Sequence, residues 1–207
     1  MTPRFPANRW AYYWLLVIVG VTGDLYSKSA IFQQLGFPNK VGPILWQTAN
    51  GWLTFRFVTN FNQGALWGIG QGYAVAFAAL SIIAVCGVIY WLFFRNAAVS
   101  LWLTIALAFV SAGALGNMYD RLALHGCMIN GQKVYAVRDF LLFTFGNFHW
   151  PVFNFADMYV VTGSIMLILQ TLFVQPSEAS TLASAEVPAD SPPSTRPSSS
   201  EPTASTT

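Results

Sequence analysis

Four apolar stretches of about twenty residues run through this chain, at about 10–30, 72–94, 97–119 and 152–174. A bilayer core of about 30 Å is crossed by roughly 20 apolar residues in a helix, so each stretch is long enough to span it. The chain is 55% hydrophobic and only 9% charged, a balance foreign to soluble domains. The expected fold class is a membrane α-helical protein with four transmembrane helices.

The first stretch follows Arg4 and Arg9 as a secretory signal would, but it lacks a small-residue cleavage site and runs on past Asp24 into Ala30-Ile31-Phe32. It is expected to be retained as a span. Between the first two spans, residues 33–71 leave the membrane. Gly36, Pro38, Asn39, Gly42, Pro43, Asn50 and Gly51 punctuate this region as loop. Trp52–Thr59 is rich in β-branched and aromatic residues and reads as a strand. With Ala65-Leu66-Trp67 after the Asn62-Gln63-Gly64 turn, it suggests a small β-sheet cradle on the membrane face. Residues 121–151 form a second loop on the same side. Residues 1–175 thus make up the membrane unit. Residues 176–207 are dominated by Ser, Thr, Pro and Ala, bury too little to fold, and are expected to be a disordered tail.

Several classes of function are disfavoured. A net charge of +2, scattered along the chain, provides no nucleic-acid surface. Two cysteines, Cys86 and Cys127, make no disulfide framework. Two histidines, His125 and His149, fall short of the ligands a zinc site needs, and no His-Glu-x-x-His helix is present. There is no Gly-rich phosphate loop and no Gly-x-Ser-x-Gly elbow. No metal and no cofactor are expected.

The remaining clue is where the polar residues fall. At 1.5 Å per residue, Asp24 lies about 21 Å along the first span, with Lys28 one turn further on the same face. The third span delivers Asn117, Asp120 and Arg121 to its far end after about 30 Å. The fourth re-enters from that side and reaches Asp157 within about 8 Å, with Asn154 on the same face. All fall in the third of the membrane next to the two loops. A charged side chain in lipid costs about 2.5–3.5 kcal/mol on insertion scales and persists where it has a partner or a task. For Asp24–Lys28 and Asp120–Arg121 the plainer task is holding helices together. For Asp157 the residues alone leave structure and chemistry evenly balanced. The second span carries no charge, and its Ser81 and Cys86 read as packing residues.

Five sequence blocks bring a resemblance. Gly23-Asp24-Leu25-Tyr26-Ser27-Lys28, Asn62-Gln63-Gly64-Ala65-Leu66-Trp67-Gly68, Gly113–Leu122, Val137-Arg138-Asp139-Phe140 and Trp150–Asp157 follow one another in order. Together they resemble the lipoprotein signal peptidases, or signal peptidase II, the membrane aspartyl proteases of bacteria. Leu66 and Trp67, the Asn130–Lys133 stretch and Arg138 depart from the family's pattern. The resemblance implies Asp139 and Asp157 as a catalytic dyad. Asn62, Gly64, Asn117, Arg121 and Asn154 become supporting or substrate-binding residues, and Asp24, Lys28 and Asp120 structural polar residues.

It also implies a substrate, a prolipoprotein whose cysteine carries diacylglycerol and whose signal peptide is cut off just before that cysteine. Membrane lipid is the other expected partner, and a monomer is expected. The location implied is the bacterial cytoplasmic (inner) membrane, with both termini cytoplasmic and the active site toward the outer face. A bare count of Lys and Arg would put the long loops in the cytoplasm, but several of those cations stand beside acids in the clustered site. The competing class is a non-enzymatic transporter or ion-conducting membrane subunit using intramembrane carboxylates. It predicts polar residues through the whole membrane thickness, whereas the cytoplasmic two-thirds of the spans are almost purely apolar. A structural subunit locked by its acids would leave Asp139 unexplained.

Overall fold

The structure, a computed structural model, describes residues 5–64 and 70–173. The expectations for Ala65–Trp67 and for the 176–207 tail lie outside the described residues. Four helices carry the apolar stretches: α1 (Asn8–Leu35), α2 (Ala74–Ile89), α3 (Leu101–Arg121) and α4 (Phe155–Phe173). α2 runs on through a π-helical turn, Tyr90–Phe94, and all four are long and apolar enough to cross a membrane. α3 is the central helix, packed against each of the other three. Ser100 starts it by accepting the Leu103 amide at 3.2 Å, which satisfies one of the orphan N–H groups of the first turn.

Glycine lets α3 and α4 approach. A Cβ on Gly113 would collide with the Ala156 carbonyl and with Val160 of α4, and one on Gly116 would strike the Asp24 carboxylate of α1. Small residues at such crossings substitute close packing for the hydrophobic drive that lipid does not supply. Away from the loops, Tyr13 donates to Ser111 across α1 and α3 at 2.8 Å, in a core with Val17, Leu92, Phe93 and Leu107.

Beyond the ends of α1 and α3 lies an antiparallel sheet in the order β1-β2-β5-β6: β1 (Val41–Gln47), β2 (Leu53–Asn62), β5 (Val137–Phe145) and β6 (Phe148–His149). A separate hairpin, β3 (Met128–Ile129) with β4 (Gln132–Lys133), turns through Asn130-Gly131, both at positive φ. α1 is 28 residues long, and its last turns carry Ile31 and Phe32 under the sheet against Phe140 and Leu141.

Two loop expectations need correction. Residues 41–47 form an edge strand rather than loop; Pro43 has no N–H to give to a ladder, and an edge is where a strand tolerates that. The 121–151 region is half strand. β5 holds an inner position between β2 and β6, so its residues are buried on both faces and lack the alternation that marks a half-exposed strand.

Candidate active site

Asn154 caps α4. Its side-chain oxygen accepts the Asp157 amide at 3.0 Å, and the Asp157 carboxylate accepts the Asn154 amide at 3.1 Å. This is a reciprocal capping box, and it places a carboxylate at the positive end of the helix dipole, where an anion is favoured. Asp157 is half-buried, and its other oxygen accepts from Asn117 Nδ2 at 2.8 Å.

Asp139 reaches the same place from β5. It is buried, and its carboxyl accepts from Asn154 Nδ2 at 2.6 Å. The same Asn154 amide donates to Asn117 Oδ1 at 3.2 Å. Two asparagines therefore link the two carboxyls, and Asp139 and Asp157 line one cavity of about 560 Å³. Asn62, Gly64, Asn117 and Arg121 line it too, and Trp150–Phe153 with Met158 and Val161 supply an apolar wall. Asn154, wholly buried, stands behind the two carboxyls rather than in the wall. Arg121 leans on Gly64, donating to its carbonyl at 3.3 Å, with its guanidinium 5.3 Å from the Phe77 ring.

Burial, and then the negative charge of Asp157, raise the pKa of Asp139 well above the usual carboxylate range. Hydrogen bonds from Asn154 and Asn62 and the charge of Lys28 pull the other way without overcoming burial.

Behind the cavity sits a buried chain of charge. Lys28 is wholly buried and meets Asp24 at 2.7 Å, Asp120 at 3.3 Å and Asn117 Oδ1 at 2.9 Å, an acceptor for each of its three N–H groups. Asp24 also accepts the Ala156 amide at 2.9 Å, satisfying a second orphan donor in the first turn of α4. Asp120 receives Arg138 at 2.8 Å. The cluster holds four carboxyls (Asp24, Asp120, Asp139, Asp157) against three basic side chains (Lys28, Arg121, Arg138). Lys28 and Arg138 are committed to acids and inform no positive-inside count.

The structure thus brings Asn62, Gly64, Asn117, Arg121, Asp139, Asn154 and Asp157 to one cavity and its backing, with Asp24, Lys28 and Asp120 directly behind. Arg138 is the member of the cluster that the sequence showed only as a neighbour of Asp139. The signal that could have found it is a lone cation in an apolar strand segment, where a partner is required. His125 and His149 stand outside the cavity: His125 Nδ1 accepts the Cys127 amide, and His149 pairs with Thr144.

Residues 16–173 match the family model described as Signal peptidase (SPase) II. The lipoprotein signal peptidase of Rhodopirellula baltica is 42% identical over 169 residues, covering 81% of this chain and 74% of that protein. That of Aeromonas hydrophila is 34% identical over 176 residues, covering 82% and 91%. A solved structure described as "Bacterial membrane enzyme structure by the in meso method at 1.9 A resolution" superimposes with a TM-score of 0.62 at 25% identity, covering 84% of this chain and 99% of that one.

Proposed function

This chain belongs to the signal peptidase II family, membrane peptidases of bacteria, and on that premise we propose that it is an aspartic endopeptidase. Its substrates are prolipoproteins already carrying diacylglycerol, and it cuts just before the lipidated cysteine. The observation that carries this reading is the pair of carboxyls, Asp139 and Asp157, on one cavity and joined through Asn154 and Asn117.

Two carboxyls that share a proton divide the work of peptide hydrolysis. Asp139, whose pKa is pushed up by burial, holds the proton and polarises the scissile carbonyl. Asp157, in the first turn of α4, takes a proton from the attacking water. The tetrahedral intermediate then collapses as the leaving amine is protonated by the dyad, and no acyl-enzyme forms. Asn117 and Asn154 fix both carboxyls, which removes the cost of orienting them in the reaction. Arg121 and Asn62 offer donors to the substrate backbone from the cavity wall.

The dyad's position supports a cut near a membrane surface. Asp157 lies in the first turn of α4, and Trp46, Trp52 and Trp150 are exposed on or beside the sheet, residues enriched at lipid–water interfaces. A lipid-bearing cysteine is held at that level by its acyl chains. The proposed orientation puts the sheet on the outer face and both termini in the cytoplasm, with a monomer as the working unit.

The deciding experiment incubates the purified protein with a diacylglyceryl precursor, with and without globomycin, a cyclic-peptide inhibitor of this family. Globomycin-sensitive cleavage before the lipidated cysteine, lost in Asp139→Asn, is expected. Failure to cleave a lipidated precursor, or normal cleavage by Asp139→Asn, would remove the assignment.

A further inference from the structure

Arg138 precedes Asp139 on β5, and successive side chains on a strand point to opposite faces. Asp139 faces the cavity it shares with Asp157, whereas Arg138 lines a smaller one on the other side, with Ser29, Phe32 and His125. There it is 3% exposed, and each of its three guanidinium nitrogens donates a hydrogen bond. Asp120 Oδ1 accepts its Nε at 3.1 Å and its Nη2 at 2.8 Å, and Asp120 Oδ2 accepts its backbone N–H at 3.0 Å. Its Nη1 donates to Ser29 Oγ at 3.1 Å. Asp120 in turn is held by Lys28. One side chain therefore ties β5 to the end of α3 and to α1.

The strand needs this tie at this point. β2 pairs with β5 in register from Leu53–Phe145 to Phe57–Leu141, and the ladder resumes at Asn60–Asp139 after a shift. An extra residue on β2 interrupts the pairing next to Asp139, and a bulge of this kind weakens the definition of register by the backbone alone. A slip of one residue would carry Asp139 to the Ser29 side and Arg138 into the cavity. We infer that Arg138 is a positioning residue: its two-point contact with Asp120 fixes the register of β5 and so the face from which Asp139 meets Asp157.

The inference rests on the proposed dyad for its effect on catalysis, so the test has two readouts on the full-length protein. The first is independent of activity. Asp139→Cys with Asp157→Cys, in a Cys86→Ala, Cys127→Ala background, is crosslinked by a short bifunctional thiol reagent. Adding Arg138→Met together with Asp120→Asn, which leaves neither partner as an unpaired buried charge, should cut the crosslink yield at least fivefold. The second readout is cleavage of a lipidated precursor. The same double substitution, with Asp139 and Asp157 intact, should lower kcat at least thirtyfold with KM within twofold. Arg138→Lys should recover part of both, since it keeps the charge but not the planar fork.

Parent-like crosslinking and kcat in the double variant would overturn the inference, as would a loss confined to KM. If the parent cleaves nothing while the crosslink still falls, the dyad chemistry fails and the positioning stands. Should the double variant not fold, Arg138→Lys decides alone, and unchanged yield and kcat there overturn the inference.

Discussion

Asn154 and Asp157 bind each other twice at the start of α4, each side chain taking the other's backbone N–H, at 3.0 and 3.1 Å. The carboxylate proposed to activate water is thus also part of the helix cap. Its position is set by α4 itself, so it needs no ordering when substrate arrives.

The two duties of Asp157 are separable by substitution. Asp157→Asn keeps an acceptor for the Asn154 amide and should fold, with a detergent melting temperature close to the parent's. It cannot act as a base, and cleavage of a lipidated precursor should fall by about 10²–10⁴-fold. Asp157→Ala loses the cap as well and should melt earlier, by about 1 kcal/mol of stability. A variant that cleaves normally with Asn at this position would exclude Asp157 from the chemistry.

The raised pKa of Asp139 has a sign that melting can read. A carboxyl that binds its proton more tightly when folded contributes stability below its unfolded pKa of about 3.9 and loses it as pH rises through the native value. Asp139→Asn is neutral throughout and escapes that loss. It should therefore melt higher than the parent at neutral and alkaline pH, and the gap should close toward acid. Activity of the parent should decline on its alkaline limb as Asp139 gives up its proton. A variant that melts lower than the parent at neutral pH would contradict this account of Asp139.

The four helices, and the gathering of Asp24, Asn117, Asp120, Asn154 and Asp157 at one end of them, were legible because apolar length and a fixed rise per residue suffice to place them. The β2 strand was legible from its β-branched and aromatic content. β5 was not, because an inner strand buried on both faces shows no alternation and its one ionic dipeptide looked like a loop. β1 was masked by Gly42-Pro43, which signal a turn unless the strand is known to be an edge. Asn130-Gly131 is a strong two-residue hairpin signal, and β3 and β4 pair across it within a region whose sequence otherwise marks it as loop. Arg138 could be recognised as unusual but not partnered, since Asp120 is brought to it by tertiary packing alone.

Lys28 tests the charge chain behind the dyad. It is wholly buried, and removing it leaves Asp24 and Asp120 facing each other's charge without their shared cation. Lys28→Met should cost about 3–5 kcal/mol, read as a large drop in melting temperature or in membrane protein level. Adding Asp24→Asn removes the charge left without a cation, since Asp120 keeps Arg138, and retains an acceptor for the Ala156 amide, so part of the loss should return. If Lys28→Met melts like the parent, the buried chain is not what holds α1 to α3.

Gly113 tests whether the α3–α4 approach sets the site. Its added Cβ would meet the Ala156 carbonyl and Val160, so Gly113→Ala must push the first turn of α4 outward. Overpacking of this kind costs about 1–3 kcal/mol. The same displacement lengthens the 2.8 Å contact between Asn117 and Asp157, so kcat should fall by more than the folded fraction does. Gly87 is the matched control. A Cβ there meets nothing within 4 Å, and Gly87→Ala in mid-helix should be neutral or stabilising by about 0.5–1 kcal/mol. Equal effects of the two substitutions, on melting and on cleavage, would show that close contact between α3 and α4 is not what holds Asp157 in place.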